Sequence, residues 1–172
     1  MGLVDNLKFD AENTYRAAES LFKLVDNDKL DWKPATGKNW MTTGQLLKHC
    51  TSACGGVSRG FVTGDWSGAG GGDSDEGGGM PTAEKMPTVA SVDEALKLLA
   101  ADKDVALKTF AEAGEERLAN EKVSAPWGGP PVALYHHLND MVGHLGQHKA
   151  QLFYYLKLQG KDVNTMHLWG VA

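Results

Sequence analysis

Long apolar runs and an excess of positive charge are both missing from this sequence. No stretch is long and apolar enough to cross a bilayer, and the opening residues, MGLVDNLKFDAEN, hold no apolar core of signal-peptide length. Lysine and arginine number 17 against 22 acidic residues, which leaves a net charge of −5. Nucleic-acid binding needs a cationic surface, so this charge argues against it. We therefore expect a cytoplasmic protein whose partners include neither nucleic acid nor membrane.

Cysteine is also scarce. Cys50 and Cys54 lie four residues apart on a predicted helix, where backbone geometry makes a disulfide between them unfavourable. Both are predicted to be reduced thiols that serve as small core residues rather than redox groups. Cys50 adjoins a histidine, so metal ligation by its thiol stays an alternative, although consecutive helical side chains point about 100° apart.

Helical periodicity is the strongest pattern that the sequence does contain. The chain has 172 residues, 42% hydrophobic and 23% charged, as expected for a single domain over residues 1–172 with a full core. Strand signals are nearly absent. Four helices are predicted, at about residues 8–27, 42–61, 91–113 and 131–159. Gly114 and Gly160 are the predicted stops of the third and fourth, because glycine readily adopts the left-handed conformation that ends many helices.

Two of these helices begin with a recognisable capping signal. Thr42 and Gln45 have the spacing of a capping box, in which a hydroxyl and an amide each cover a free backbone N–H. Ser91 and Glu94 repeat this spacing at the start of the third helix. Both pairs support helix starts at these positions.

One long connection, residues 64–90, separates the second helix from the third. Its first part, residues 64–80 (GDWSGAGGGDSDEGGGM), is rich in glycine and breaks all periodicity, which predicts a mobile loop. Short links make neighbouring helices antiparallel, whereas a long link lets the chain cross the bundle and return in the same direction. The expected fold class is therefore all-α, a four-helix bundle in up-down-down-up order with a long crossover between helices 2 and 3.

Three histidines form the most informative pattern in the chain. His144 and His148 lie one turn apart on the fourth helix, so both rings can present a nitrogen to one point. His49 lies on the second helix. Three imidazoles around one divalent transition metal would leave coordination positions open, as in catalytic sites. A hydrated histidine stripe, or core histidines bonded to backbone, is the alternative that spacing alone leaves open.

His137 and Asp140 share the broad histidine face of the fourth helix and are the candidates for catalysis. Asp140, one turn before His144, would accept that histidine's non-ligating ring N–H. His137 would act as an acid or base, although a structural role is the favoured interpretation. A zincin site is excluded because Leu145 stands where its helix needs glutamate, and a ferritin-like di-iron site because Glu-x-x-His motifs are absent.

The last helix resembles that of the DinB/YfiT-like superfamily, which typically reads His-x-x-x-His-Arg-Gly-Gln with a glycine about twelve residues beyond. Here His148 is followed by Lys149-Ala150-Gln151, and Gly160 lies twelve residues on. The segment TTGQLLKH, residues 42–49, likewise resembles the family's capped second helix, which ends in a ligand. Lys149-Ala150 departs from the usual Arg-Gly but removes no ligand.

The resemblance implies a four-helix bundle with one divalent transition metal bound by His49, His144 and His148. Imidazole ligands suit iron and copper as well, and zinc or nickel is the favoured interpretation. The resemblance further implies a thiol-dependent S-transferase or a hydrolase, a small-molecule substrate, a low-molecular-weight thiol as co-substrate, and a homodimer. The alternative is a non-catalytic bundle that binds metal or a protein partner, in which His167 is the candidate fourth ligand. Three tryptophans from loops and the terminus are candidates to roof the pocket, although a role as ordinary bundle-capping aromatics is the favoured interpretation: Trp66, Trp127 and Trp169.

Overall fold

Helices dominate the structure, a computed structural model that describes residues 2–69 and 82–172. In chain order the helices are α1 (Leu3–Phe22), α2 (Thr43–Cys50), α3 (Gly55–Thr63), α4 (Val92–Asn120), α5 (Leu134–Leu158) and α6 (Thr165–Leu168), with 3₁₀ turns at Asn27–Lys29 and Ala83–Lys85. Two short strands, β1 (Lys122–Val123) and β2 (Val132–Ala133), pair antiparallel between α4 and α5. A mostly helical fold is thus confirmed, whereas the four-helix, up-down-down-up order stays a prediction.

The core forms where the apolar faces of the long helices meet. In α1 the buried residues Leu7, Ala11, Tyr15, Ala18 and Phe22 recur every three or four positions, which places them on one face. This face packs against α4 and α5, while α3 packs on the same two helices and α2 on α5. Burying each large apolar side chain contributes about 1.5–3 kcal/mol, so this face holds α1 in the fold.

The predicted second helix, residues 42–61, is wrong as one continuous element. It breaks at residues 51–54, and α3 starts afresh at Gly55. Asp102 of α4 accounts for the break, because its carboxylate accepts the backbone N–H groups of Gly55 at 3.0 Å and Gly56 at 2.8 Å. The buried hydroxyl of Tyr15 donates to the same carboxylate at 2.6 Å. A side chain from another helix therefore caps α3.

The glycines at the break are required by close packing. A Cβ on Gly55 would overlap the backbone oxygen of Asp102, and one on Gly56 would overlap the backbone oxygen of Gly68. The chain thus passes too close to its neighbours for any side chain at these two positions.

Gly114 interrupts the helix where the stop was predicted, because its backbone leaves the helical conformation (φ 70, ψ 165). A second helical segment that the sequence did not predict follows directly and continues to Asn120. The next residue, Glu115, accepts the N–H groups of Leu3 at 2.8 Å and Val4 at 2.9 Å. The kink therefore lets α4 cap the start of α1. The helix α1 itself begins and ends about five residues earlier than the helix predicted at residues 8–27.

Other predicted helix signals are confirmed. Thr42 and Gln45 form the capping box at α2, and the Ser91 hydroxyl accepts the N–H of Glu94 at α4. Gly160, with φ 85, follows the end of α5. No helix in the described ranges combines the length and hydrophobicity that a bilayer crossing requires.

The connection between α3 and α4 is described at both of its ends. The ring of Trp66 lies directly on the backbone of Gly60, and the carbonyls of Ala83 and Met86 accept the Gln45 amide at 2.7 and 2.9 Å. Residues 70–81 lie outside the described residues, and with them most of the segment 64–80 that was predicted to be mobile.

We expect Gly55→Ala to destabilise the fold by about 1–3 kcal/mol, because the new methyl group would force the α3 backbone away from Asp102. Gly143→Ala is the matched control. Nothing lies within 4 Å of a Cβ at this exposed position of α5, so the change should be neutral or stabilise by up to about 1 kcal/mol. Urea unfolding measures both free energies, and equal values would contradict the packing described.

Candidate metal centre

The three predicted histidines come together in the structure. His49 lies in the last turn of α2, and His144 and His148 lie on the facing side of α5. The Nε2 atom of His144 is 3.3 Å from Nε2 of His49 and 3.0 Å from Nε2 of His148. One ring nitrogen from each residue falls within 4.8 Å of the others, so the group can hold a metal ion.

The orientation of His144 is set by the break between α2 and α3. Its Nδ1 lies 3.3 Å from the carbonyl oxygen of Ala53, inside that break. A carbonyl can only accept, so Nδ1 carries the proton and Nε2 turns a lone pair toward the other rings. Asp140 was predicted to accept this ring N–H of His144, but Asp140 is exposed and the Ala53 carbonyl is the acceptor instead.

His148 is oriented from the opposite side. Its Nδ1 lies 3.0 Å from the side-chain oxygen of Gln151, one turn further along α5. Because the proton is on Nδ1, Nε2 of His148 is also unprotonated, and it lies 3.0 Å from Nε2 of His144. Two unprotonated nitrogens at this separation repel each other unless a cation lies between them, so the donor set fits a metal ion.

Burial keeps the three rings neutral. Burial, together with the charges of His148 and His144, lowers the pKa of His49 to about 4. Burial also lowers the pKa of His144 and of His148, against the opposing effect of their hydrogen bonds to Ala53 and Gln151. Near neutral pH the imidazoles are therefore in the form that binds metal. Nδ1 of His49 is buried and has no hydrogen-bond partner among the described residues.

The remaining candidate histidines lie elsewhere. His137 is buried, stacks on Phe61 with ring centroids 4.3 Å apart, and its Nε2 lies 2.8 Å from the Val123 carbonyl. These contacts, with a neighbouring ring and a backbone carbonyl, are of the kind that a structural role involves. His167 accepts the N–H of Asn164 and caps α6, so the group of converging histidines does not include the proposed fourth ligand. A catalytic role for His137 or Asp140 stays a prediction.

The three tryptophans considered as a roof for the site have their described contacts away from it. Trp66 and Trp127 pack against Phe61, with centroids 5.0 and 5.6 Å from its ring, next to His137. Trp169 lies under the ammonium of Lys149, 5.5 Å from its ring centroid. In the described ranges, these three indoles therefore cover other parts of the bundle.

Sequence reasoning noted Gln151 only as a motif position and missed both its contact with His148 and the part of Tyr155. Gln151 and Tyr155 follow His148 at three- and four-residue steps on one face of α5, and Tyr155 packs edge-on against Trp32 at 5.2 Å and Trp40 at 6.2 Å. Continuing the histidine periodicity beyond His148 was the signal that could have found them.

The two cysteines are free and buried, which confirms the prediction of unpaired thiols. Burial, reinforced by the charge of Asp102, raises the pKa of both Cys50 and Cys54 to about 12. Neither thiol belongs to the converging group, so ligation by Cys50 is not supported.

The sequence profile of the DinB superfamily matches residues 10–152, a range that includes all three histidines. The chain belongs to the DinB superfamily. No curated protein and no solved structure gives a significant match to it.

We expect the metal-free protein to lose stability as the pH falls from about 6.5 to about 4. In this window the unfolded chain holds a proton on His49 and the folded chain does not, so the free energy of unfolding rises with pH. Urea unfolding between these limits should show a weaker pH dependence for His49→Gln. His136→Gln, which removes an exposed histidine of α5, is the control, and an unchanged slope in His49→Gln would contradict the assignment.

Proposed function

We propose that this DinB superfamily protein is a metal-dependent enzyme, a thiol-dependent S-transferase or a hydrolase. The observation that carries the proposal is the convergence of three neutral imidazoles, each of which brings a ring nitrogen to one point. His49, His144 and His148 would hold one divalent transition metal, zinc or nickel. Three protein ligands leave a position open for substrate, which is the arrangement of catalytic rather than structural sites.

An ion held by three uncharged ligands keeps its full positive charge and lowers the pKa of a thiol or a water molecule near it. The protein's part is to orient the rings and to keep them unprotonated. The Ala53 carbonyl orients His144, the Gln151 amide orients His148, and burial keeps all three rings neutral.

The reacting thiol would come from a low-molecular-weight co-substrate. Cys50 and Cys54 are fully buried, and with a pKa of about 12 each stays protonated at neutral pH. A protonated thiol is a poor nucleophile. Free buried thiols also fit the reducing cytoplasm, where we place the protein.

A non-catalytic bundle that binds metal or a protein partner is the second candidate. It is favoured by the partners of the histidines, a backbone carbonyl and a side-chain amide, neither of which transfers protons at neutral pH. Under either function we expect a homodimer, joined through apolar residues that α5 exposes, such as Tyr154 and Leu158. Light scattering that gives the mass of one chain would reject the dimer.

The metal site is tested by elemental analysis of the purified protein. The wild type should carry about one zinc or nickel ion per chain, and His148→Ala should lose most of it, because two imidazoles remain on separate helices. His136→Ala, on the exposed face of the same helix, should retain the ion. Full metal content in His148→Ala would refute the site.

Activity is tested with the metal-loaded protein and a panel of small thiols, electrophiles and hydrolysable esters or amides. We expect turnover that is abolished by a chelator and by His148→Ala. No turnover across the panel, with the metal shown to be bound, would favour the non-catalytic bundle.

A further inference from the structure

Building on the proposed metal site, we infer that Gln151 and Tyr155 are positioning residues that select the metal-binding nitrogen of His148. They form a hydrogen-bond chain that begins at the Met41 carbonyl and ends at Nδ1 of His148. The chain has one consistent direction, and that direction leaves Nε2 of His148 unprotonated toward His49 and His144.

The backbone carbonyl of Met41 fixes the direction of this hydrogen-bond chain. The hydroxyl of Tyr155 lies 2.9 Å from the carbonyl oxygen of Met41, and a carbonyl can only accept, so the phenolic proton is used there. The oxygen of Tyr155 then accepts from its other neighbour, the side-chain amide of Gln151 at 3.2 Å. Gln151 must therefore present its NH₂ group to Tyr155.

The orientation of the Gln151 amide decides the tautomer of His148. With the NH₂ group on Tyr155, the amide oxygen faces Nδ1 of His148 at 3.0 Å and requires a proton there. A flipped amide would set its oxygen against a phenol that has no proton left to give. It would also move the imidazole proton to Nε2, into the 3.0 Å gap to His144 where the metal would lie.

The surroundings hold this chain of contacts in place. The side chain of Tyr155 is 2% exposed and is packed edge-on against Trp32 and Trp40. Met41 directly precedes the N-cap of α2, the helix that carries His49. The same contacts that set the tautomer of His148 therefore tie together the two helices that supply the ligands.

His144 and His148 are thus held in different ways. His144 meets a backbone carbonyl directly, whereas His148 reaches one through two replaceable side chains. Substitutions at Gln151 and Tyr155 should accordingly change His148 alone, which makes the proposal testable without touching a ligand.

The direct test is long-range ¹H–¹⁵N NMR of the metal-free protein at neutral pH, which reports the protonated nitrogen of each histidine. In the wild type we expect the proton of His148 on Nδ1. In Gln151→Leu the proton should distribute over both nitrogens, while the signals of His144 stay unchanged. Gln147→Leu, an exposed glutamine one turn earlier on α5, should behave as the wild type.

Zinc affinity, measured by competition with a chelating dye, is the second readout. Gln151→Leu should weaken binding about 10–100-fold, as expected when the partner of a ligating histidine is removed. Tyr155→Phe should weaken it in the same direction, because the amide can then flip. In the Gln151→Leu background, Tyr155→Phe should have no further effect if it acts through Gln151.

A wild-type His148 that carries its proton on Nε2 would overturn the proposal, as would an unchanged tautomer and affinity in Gln151→Leu. If Gln151→Leu fails to fold, Tyr155→Phe, which keeps the packed ring, decides by the same two readouts. Neither readout depends on turnover, so a protein without activity leaves the inference standing. A protein that binds no zinc still leaves the NMR test to decide it.

Discussion

The buried carboxylate of Asp102 is the interaction on which the geometry of the site depends. Burial raises its pKa, whereas donors from Tyr15, Gly55 and Gly56 favour the charged form. By capping α3 it ends the helical ladder of α2, and the resulting break places the Ala53 carbonyl against His144. Asp102, which contacts none of the three histidines, thus helps to determine that Nε2 of His144 is the unprotonated nitrogen.

Caps supplied from other parts of the chain recur through the fold. Glu115 caps α1, Asp102 caps α3, and the side-chain oxygen of Asn27 accepts the N–H of Val92 at the start of α4. Each of these contacts satisfies a helix terminus and fixes where that helix lies relative to another. Contacts at the helix ends therefore help to position the helices in the bundle, in addition to the packing of their apolar faces.

The difference between local patterns and contacts from distant residues explains what the sequence predicts and what it does not. The spacing of His144 and His148 and the Thr42–Gln45 box are local patterns, and both were found. The break after Cys50 depends on Asp102, which lies almost fifty residues away, so helical periodicity alone cannot place it. The adjacent glycines at 55 and 56 were its one local signal, because two glycines are unfavourable inside a helix unless close packing requires them.

The partners of the histidines bear on the chemistry that the site can support. Carboxylate partners would make the imidazoles more basic and place negative charge close to a bound cation. The observed partners, Ala53 and Gln151, are uncharged, and Asp140 lies exposed. An ion bound here would keep more of its charge for whatever occupies its open position, which is what activation of a thiol or of water requires. The uncharged partners therefore suit the electrostatics of the enzymatic proposal, whereas the lack of a proton carrier among them is what supports the non-catalytic alternative.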